Sequence, residues 1–210
     1  MLTFKNLLEK SRTAPLKPQK WGNTGRSKST DVRDVYDQAQ QKASTLKPKF
    51  EKKLKSVTRS VRNPKILTDV KGFASFASKV GARNKKASAI TDVLRGAILV
   101  QTEDDVKRVV NQIKKDMLVV EYEQKKKGGD KEFGYYGSHH FLVDMDGMAS
   151  EIQVMTKRLW TYKEKGHEIY NQFRDKQSGG VDDKEKKTKR QSKQIFSRGN
   201  QTTDYYKKKK

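Results

Sequence analysis

The segment HHFLVDMDGMASEIQVM, residues 139–155, indicates the centre of the fold. Asp146-Gly147 stands between two runs of alternating apolar and polar residues, and this dipeptide favours the two-residue turn of a β-hairpin. That turn pairs His140 with Gln153 across the two strands. Because side chains alternate across a strand, we expect His140, Glu151 and Gln153 to share one face of a sheet.

Segments outside the hairpin have the patterns of further helices and strands. The predicted helices cover residues 31–46, 49–61, 72–80, a stretch beginning at Thr102, and 156–177, and the predicted strands cover 97–100 and 117–122. Pro48 is expected to separate the first two helices, and Gly166 to interrupt the last one. Strands that alternate with helices indicate one α+β or mixed α/β domain, with a mixed sheet flanked by helices.

The chain of 210 residues carries 48 Lys plus Arg against 25 Asp plus Glu, which gives a net charge of +23. This excess is concentrated at the two ends. We therefore divide the chain into a basic N-terminal arm (1–30), a domain (31–177) and a polybasic tail (178–210) that is expected to be disordered. Two interpretations of the arms stay open: solvated ends that keep the protein soluble, and binding to RNA or another polyanion.

Composition also excludes several classes of protein. No run approaches the ~18 apolar residues that span a bilayer, and without Cys there are neither disulfides nor Cys-ligated zinc. Residues 1–9 do not have the pattern of a secretory signal, so a cytoplasmic location is expected. The phosphate-binding pattern G-x-x-x-x-G-K-[ST], the dinucleotide pattern G-x-G-x-x-G and the zinc pattern H-E-x-x-H do not occur.

Two acidic residues, Asp92 and Glu151, stand on segments associated with strands, and Lys71 and Lys79 precede them. Carboxylates beside basic residues suit Mg²⁺-dependent phosphate chemistry, because Mg²⁺ prefers oxygen ligands and takes substrate phosphates into its shell. Acids on strands are common, however, so these residues alone leave open that both are ordinary solvent-facing acids.

Four motifs occur in order within residues 60–175. They are a lysine spacing K-x-x-x-S-x-x-x-K at Lys71, Ser75 and Lys79, then DVLRG at 92–96, GYYGSHH at 134–140 and SEIQVMT at 150–156. Together they resemble the RelA/SpoT-type nucleotide pyrophosphokinases, the (p)ppGpp synthetases, whose corresponding motifs include G-Y-x-S-x-H and E-[IV]-Q-[IV]-R-T. The resemblance implies a nucleotidyltransferase-like fold and, at this chain length, a synthetase without a second, hydrolase domain.

The resemblance also implies a role for individual residues. ATP would lie along a row of cations, Mg²⁺ would bind two carboxylates, and the acceptor would stack its base on a tyrosine. The implied ATP-binding residues are Lys71, Ser75, Lys79 and Arg95, the implied catalytic and metal-binding residues are Asp92 and Glu151, and the implied acceptor-binding residues are Tyr136, His140 and Gln153.

The chain departs from the family pattern at several positions. Asp69 stands where the family has Arg, two residues before the first lysine, and Met155 replaces the Arg of E-I-Q-I-R-T. Gly134-Tyr135 replaces the Asn-Gly that precedes the motif tyrosine, and the Asp92 segment reads V-L-R-G rather than x-x-G-x-R. The two acids and the acceptor residues are unaffected, so these departures concern how ATP is bound.

Three functions are therefore expected in order of preference. The first is transfer of pyrophosphate from ATP to the ribose 3′-OH of GDP or GTP. The second is the same chemistry on an adenine nucleotide or on the 3′ end of tRNA, as in toxin-like family members, which the positive charge favours. The third is a catalytically silent protein of this fold that binds polyanions.

Overall fold

The computed structural model of the protein describes residues 31–82, 87, 90–126, 135–174 and 189–198. The predicted N-terminal arm (1–30), residues 127–134 and the predicted tail apart from 189–198 lie outside those residues.

Five helices and five strands make up the described part of the chain. The helices are α1 (Val32–Val57), α2 (Phe73–Ala82), α3 (Glu103–Asp116), α4 (Lys157–Arg174) and α5 (189–198). The strands are β1 (Lys65–Val70), β2 (Leu94–Val100), β3 (Val119–Gln124), β4 (His139–Asp144) and β5 (Ala149–Thr156). None of the described helices is both long enough and apolar enough to cross a membrane.

The strands form one mixed sheet in the order β1-β2-β5-β4-β3. The central pair, β2 and β5, is parallel, and the other three neighbouring pairs are antiparallel. Helices cover both faces of the sheet, so the predicted fold class, one α+β domain with a mixed sheet flanked by helices, is confirmed.

The hairpin has the predicted register. His140 pairs with Gln153, and the turn residues Asp146 and Gly147 have φ angles of 53° and 76°. Positive φ at both central positions is the conformation that an Asp-Gly turn adopts at low cost. The Oδ1 atom of Asp144 accepts a hydrogen bond of 2.6 Å from the Gly147 N–H, which fixes the turn further.

The prediction of two helices on either side of Pro48 is wrong, because α1 continues through this residue. Its buried residues form one uninterrupted stripe on both sides of the proline: Tyr36, Ala39, Ala43, Phe50, Leu54 and Val57. Burial of one large apolar side chain contributes about 1.5–3 kcal/mol, so the stripe outweighs the ~3 kcal/mol cost of a proline in a helix. Because proline has no N–H, the carbonyl of Ser44 loses its helical hydrogen bond. Both Ser44 and Pro48 are exposed, so water can reach this carbonyl.

The sequence did not predict β1, and it predicted only the second half of β2. Strand β1 lies at the edge of the sheet, and none of its residues is fully buried. A sequence segment of this kind lacks the apolar run of a central strand such as β2, where all residues but Arg95 are buried. The place of β1 in the fold is set by its antiparallel pairing with β2.

The two faces of the sheet differ in what they pack against. The main core lies between one face and helices α1 and α3, and Ile152 and Val154 of β5 belong to it. A smaller cluster on the other face contains Met155 and Leu159, beneath the start of α4. Glu151 and Gln153 alternate with the core residues of β5 and therefore lie on the face that carries α4.

The prediction of a disordered tail is wrong for residues 189–198, which form α5. Phe196 of this helix is 5% exposed, and its ring packs edge-on against Tyr135 with the centroids 5.1 Å apart. The Phe196 ring also lies against Gly166 of α4. A Cβ atom at that position would be only 2.6 Å from Phe196 Cζ. Gly166 does not interrupt α4 as predicted. It provides the space for a second helix, and burial of one aromatic ring helps to hold a mostly polar helix on the domain.

Candidate active site

The backbone of Lys71 is fixed where β1 ends. Pairing of β1 with β2 sets Val70 opposite Leu94, which brings the following residue beside Val93. The Lys71 N–H donates to the Val93 carbonyl at 2.8 Å, and the Lys71 carbonyl accepts a hydrogen bond of 3.0 Å from the Tyr36 hydroxyl. Lys71 is therefore held at both of its peptide groups before its side chain makes any contact.

Asp92 brings two lysines together. Its Oδ2 atom accepts hydrogen bonds from Lys71 Nζ at 3.0 Å and from Lys79 Nζ at 2.5 Å. Burial alone would raise the pKa of Asp92, but the hydrogen bonds and charges of Lys79 and Lys71 lower it below its ordinary value. Burial also lowers the pKa of Lys71, and the neighbouring Asp92 opposes that effect. The cluster is thus one carboxylate between two ammonium groups, and it can neutralise a polyphosphate.

A second cluster surrounds Glu151 on the neighbouring strands. Glu151 Oε1 accepts a hydrogen bond of 3.1 Å from Gln153 Nε2 and lies 3.5 Å from His140 Nδ1. The other ring nitrogen of His140 is 2.9 Å from the Ser138 hydroxyl and 3.5 Å from that of Tyr135. Both recorded partners of Glu151 are therefore at one oxygen of its carboxylate.

The carboxyl group of Glu151 is ionised in this environment. Burial acts to raise its pKa, but the hydrogen bonds from His140 and Gln153 and the charge of His140 lower the pKa below its ordinary value. A carboxylate of this kind can accept a proton from a hydroxyl group or bind a cation.

Lys163 reaches this cluster from α4. Its ammonium group donates to Gln153 Oε1 and lies 4.6 Å from the centroid of the Trp160 ring. Burial lowers the pKa of Lys163 to about 8, and the charge of Glu151 opposes that effect. The sequence had assigned no role to this residue, although residues 162–167 resemble the helix that follows E-I-Q in some family members.

Arg95 lies on the same face and forms an ion pair. It pairs in register with Asp69 on one side and with Glu151 on the other. Its Nη2 and Nε atoms lie 2.5 and 3.0 Å from Asp69 Oδ2, and the two side chains are 38% and 59% exposed. The guanidinium expected to bind ATP is thus already paired with the residue that departs from the family pattern.

The other two expected site residues lie at the margins of these clusters. Ser75 is exposed on α2, one turn before Lys79. Tyr136 is half-buried in the segment before β4, next to Gly137, whose φ is 92°. The structure thus joins Lys71, Lys79 and Asp92 in one group and His140, Glu151 and Gln153 in another.

The two carboxylates fit Mg²⁺. The pKa values of Asp92 and Glu151 are both lowered, so both carboxylates are ionised, and the charge of Asp92 only partly opposes the lowering at Glu151. No group of three or more metal-ligating side chains occurs in the part of the chain that the structure describes. Mg²⁺ is commonly held by one or two carboxylates together with substrate phosphates, which is the donor set available here.

The sequence matches a known family over more than half of its length. Residues 68–178 match the family described as the region found in RelA / SpoT proteins. The chain belongs to the RelA/SpoT family. The matched region contains both carboxylates and every site residue expected from the motifs, whereas curated proteins give no sequence match.

Solved structures of similar fold include small alarmone synthetase 2 from Bacillus subtilis, with 18% identity, 84% of this chain and 96% of that chain covered, and a TM-score of 0.63. Small alarmone synthetase 1 from Bacillus subtilis, bound to its product pppGpp, has 18% identity, 84% and 91% coverage, and a TM-score of 0.56. The type VI effector Tas1, in complex with its immunity protein, has 13% identity, 80% and 97% coverage, and a TM-score of 0.61. At these identities the likeness concerns the fold.

Three residues of the candidate site were not predicted from the sequence. Ser138 precedes His140 by two positions, so the strand period could have placed both on one face. Tyr135 adjoins the tyrosine that the family motif selects, and only the fold shows that its ring contacts His140 edge-on, with the centroids 6.2 Å apart. Lys163 lies in a segment that resembles the family helix after E-I-Q, but its contact with Gln153 depends on how α4 crosses the sheet.

Proposed function

We propose that the protein transfers pyrophosphate from ATP to the ribose 3′-OH of a guanine nucleotide, GDP or GTP, and releases AMP. The observation that carries this proposal is Glu151, an ionised carboxylate beside the Asp92–lysine cluster in a chain of the RelA/SpoT family. Both substrates are abundant in the cytoplasm, which is where we place the reaction.

On the donor side, Lys71 and Lys79 bind the triphosphate. Their ammonium groups now face the single carboxylate of Asp92, so the pair carries one positive charge in excess. Asp92 and Glu151 are the residues that would hold Mg²⁺, which, when bound, neutralises charge on the phosphates. Fixed cations aimed at the phosphates stabilise the transition state without reorganisation during the reaction.

On the acceptor side, Glu151 acts as the general base. It accepts the proton of the 3′-OH while that oxygen attacks the β-phosphorus of ATP. The bond from the β-phosphorus to the oxygen bridging it to the α-phosphorus breaks, and AMP leaves with that oxygen. His140 lies near the acceptor phosphates, Gln153 supports Glu151, and Tyr136 stacks on the base. Orientation of the two reacting groups supplies a large part of the rate.

The experiment is incubation of the full chain with ATP labelled at the γ-phosphate and with GDP, GTP, ATP or total tRNA. The label moves with the pyrophosphate, so it appears on the true acceptor. Label on GDP or GTP, absent with the Glu151→Gln variant, supports the proposal. Failure of every acceptor to gain label would instead favour a silent polyanion-binding protein.

A second candidate is the same transfer to an adenine nucleotide or to the 3′ end of tRNA. The observation in its favour is the net charge of +23, which exceeds what a mononucleotide requires. Label on tRNA or ATP, and not on GDP or GTP, would select this candidate.

A further inference from the structure

Lys163 is a half-buried cation to which the proposed transfer assigns no role. It is held between Gln153 Oε1 and the face of the Trp160 ring. None of the described carboxylates forms an ion pair with it. Taking an ammonium group partly out of water without such a partner weakens the folded state, so its contribution to stability does not explain its presence.

The contact between Lys163 and Gln153 fixes the polarity of a hydrogen-bond chain. A side-chain amide has one end that accepts and one that donates, and an ammonium group only donates. When Lys163 occupies the oxygen of Gln153, the Nε2 end must face Glu151, where it donates at 3.1 Å. If the amide turned over, its oxygen would face the carboxylate oxygen and repel it.

We propose that Lys163 is a positioning residue that acts through Gln153 to hold the carboxylate of Glu151 for the transfer. This inference rests on the proposed function, in which Glu151 accepts the acceptor's proton. The donors from Gln153 and His140 both approach Oε1, and Oε2 accepts no hydrogen bond from the described residues. Lys163 thereby orients Oε2 as the oxygen that receives the proton.

The first test compares Lys163→Met with Lys163→Arg. Methionine keeps the length of the side chain and removes the donor, whereas arginine keeps a donor and the charge. We expect Lys163→Met to lower kcat about tenfold or more, as is common for residues that orient a catalytic group, with the KM for ATP and for the acceptor nearly unchanged. Lys163→Arg should recover part of the loss. Lys165→Met, at an exposed lysine of the same helix, is the control and should leave kcat unchanged.

The second test is a double-mutant cycle with Gln153→Ala. If Lys163 acts through Gln153, Lys163→Met should have little further effect in the Gln153→Ala background. Equal decreases of kcat in both backgrounds, or an effect on KM instead, would overturn the proposal and show that Lys163 binds a substrate directly.

The third test does not depend on activity. The side-chain NH₂ signals of Gln153, observed by ¹⁵N–¹H NMR, should shift in Lys163→Met and return towards their wild-type positions in Lys163→Arg. Unchanged NH₂ signals of Gln153 would overturn the proposal. If Lys163→Met does not fold, the same signals are measured in Lys163→Gln. If the wild-type chain labels no acceptor while these signals shift, the proposed function fails and the positioning contact stands.

Discussion

Arg95 and Asp69 face each other on β2 and β1 and form an ion pair at the edge of the candidate active site. The partner of Arg95 on its other side is Glu151. Asp69, Arg95 and Glu151 therefore lie side by side on β1, β2 and β5. From the edge strand inwards, their charges are negative, positive and negative. Asp69 forms an ion pair with the guanidinium of Arg95, which could otherwise bind a phosphate. Asp69 also adds a negative charge where ATP would approach.

Replacing Asp69 with Asn is expected to strengthen ATP binding. The change removes a negative charge and releases Arg95, and exposed ion pairs contribute about 0–1 kcal/mol, so the gain in affinity should be at most about fivefold. Isothermal titration with a non-hydrolysable ATP analogue measures it. In the control, Asp69→Asn with Arg95→Ala, the gain should shrink. Equal affinity of the single and double variants would show that Arg95 does not reach ATP.

Replacing Glu151 with Gln is expected to lower kcat about a hundredfold or more while leaving ATP bound, because an amide does not accept the proton of the 3′-OH. Transfer of labelled pyrophosphate and the affinity for the ATP analogue are measured on the same preparation. Glu121→Gln, at an exposed position of β3, is the matched control and should behave as the wild type. Near-normal transfer by Glu151→Gln would remove this residue from the mechanism.

Substitutions of Tyr136 and of its neighbour Tyr135 should affect different kinetic constants. Base–aromatic stacking is worth roughly 1–3 kcal/mol, so Tyr136→Ala should raise the acceptor KM about 5- to 150-fold and leave the KM for ATP nearly constant. Tyr136→Phe keeps the ring and should have a small effect. Tyr135→Phe removes a hydroxyl 3.5 Å from His140 and should alter kcat rather than acceptor affinity. An equal rise in KM for both substrates in Tyr136→Ala would indicate a structural role.

The parts of the fold that the sequence predicted are those with local causes. The turn at Asp146-Gly147 and the alternation on each side fix the register of the hairpin, so the contact between Glu151 and Gln153 follows from local rules. The edge strand β1 has no comparable signal, because its pairing with β2 depends on the rest of the sheet. The prediction of a helix break at Pro48 was wrong because the apolar stripe of α1 outweighs the local propensity.

The same division applies to the candidate site. The family resemblance implied that Lys71 and Lys79 lie along ATP, but their common contact with Asp92 requires the pairing of β1 with β2 that the sequence did not reveal. The contact of Lys163 with Gln153 joins α4 to the sheet, and it follows only from their tertiary packing.

His139 should make the fold sensitive to acid. Its Nδ1 atom is 2.8 Å from the Tyr122 hydroxyl, and burial, with the charges of Lys114 and His140, lowers the pKa of His139 to about 4. Between pH 6.5 and 4 the unfolded chain therefore binds a proton that the folded chain does not, so stability falls as the pH falls through this window. The contribution is on the order of 3 kcal/mol, because each unit of pKa difference corresponds to about 1.4 kcal/mol.

The measurement for His139 is urea unfolding at several pH values between 4 and 7, on the wild type and on His139→Gln. Glutamine does not titrate, so the variant should lose less stability than the wild type as the pH is lowered through this range. Parallel stability curves for the two proteins would contradict the assignment.

The tail offers a test of the acceptor that leaves the fold intact. Removal of residues 184–210 would also remove α5, whose Phe196 packs on Tyr135 next to His140, so a decrease in activity would not distinguish the acceptors.

Truncation after Arg198 keeps α5 and removes Lys207–Lys210. With GDP or GTP as the acceptor, this truncation should leave kcat and KM unchanged, because a mononucleotide is held inside the site. With tRNA as the acceptor, its KM should rise, and the slope of log affinity against log salt should decrease by roughly 0.7–0.9 for each phosphate that the removed lysines had neutralised. Filter binding of tRNA at two salt concentrations measures that slope, and equal RNA affinity of the truncated and full chains would show that these lysines only solubilise the protein.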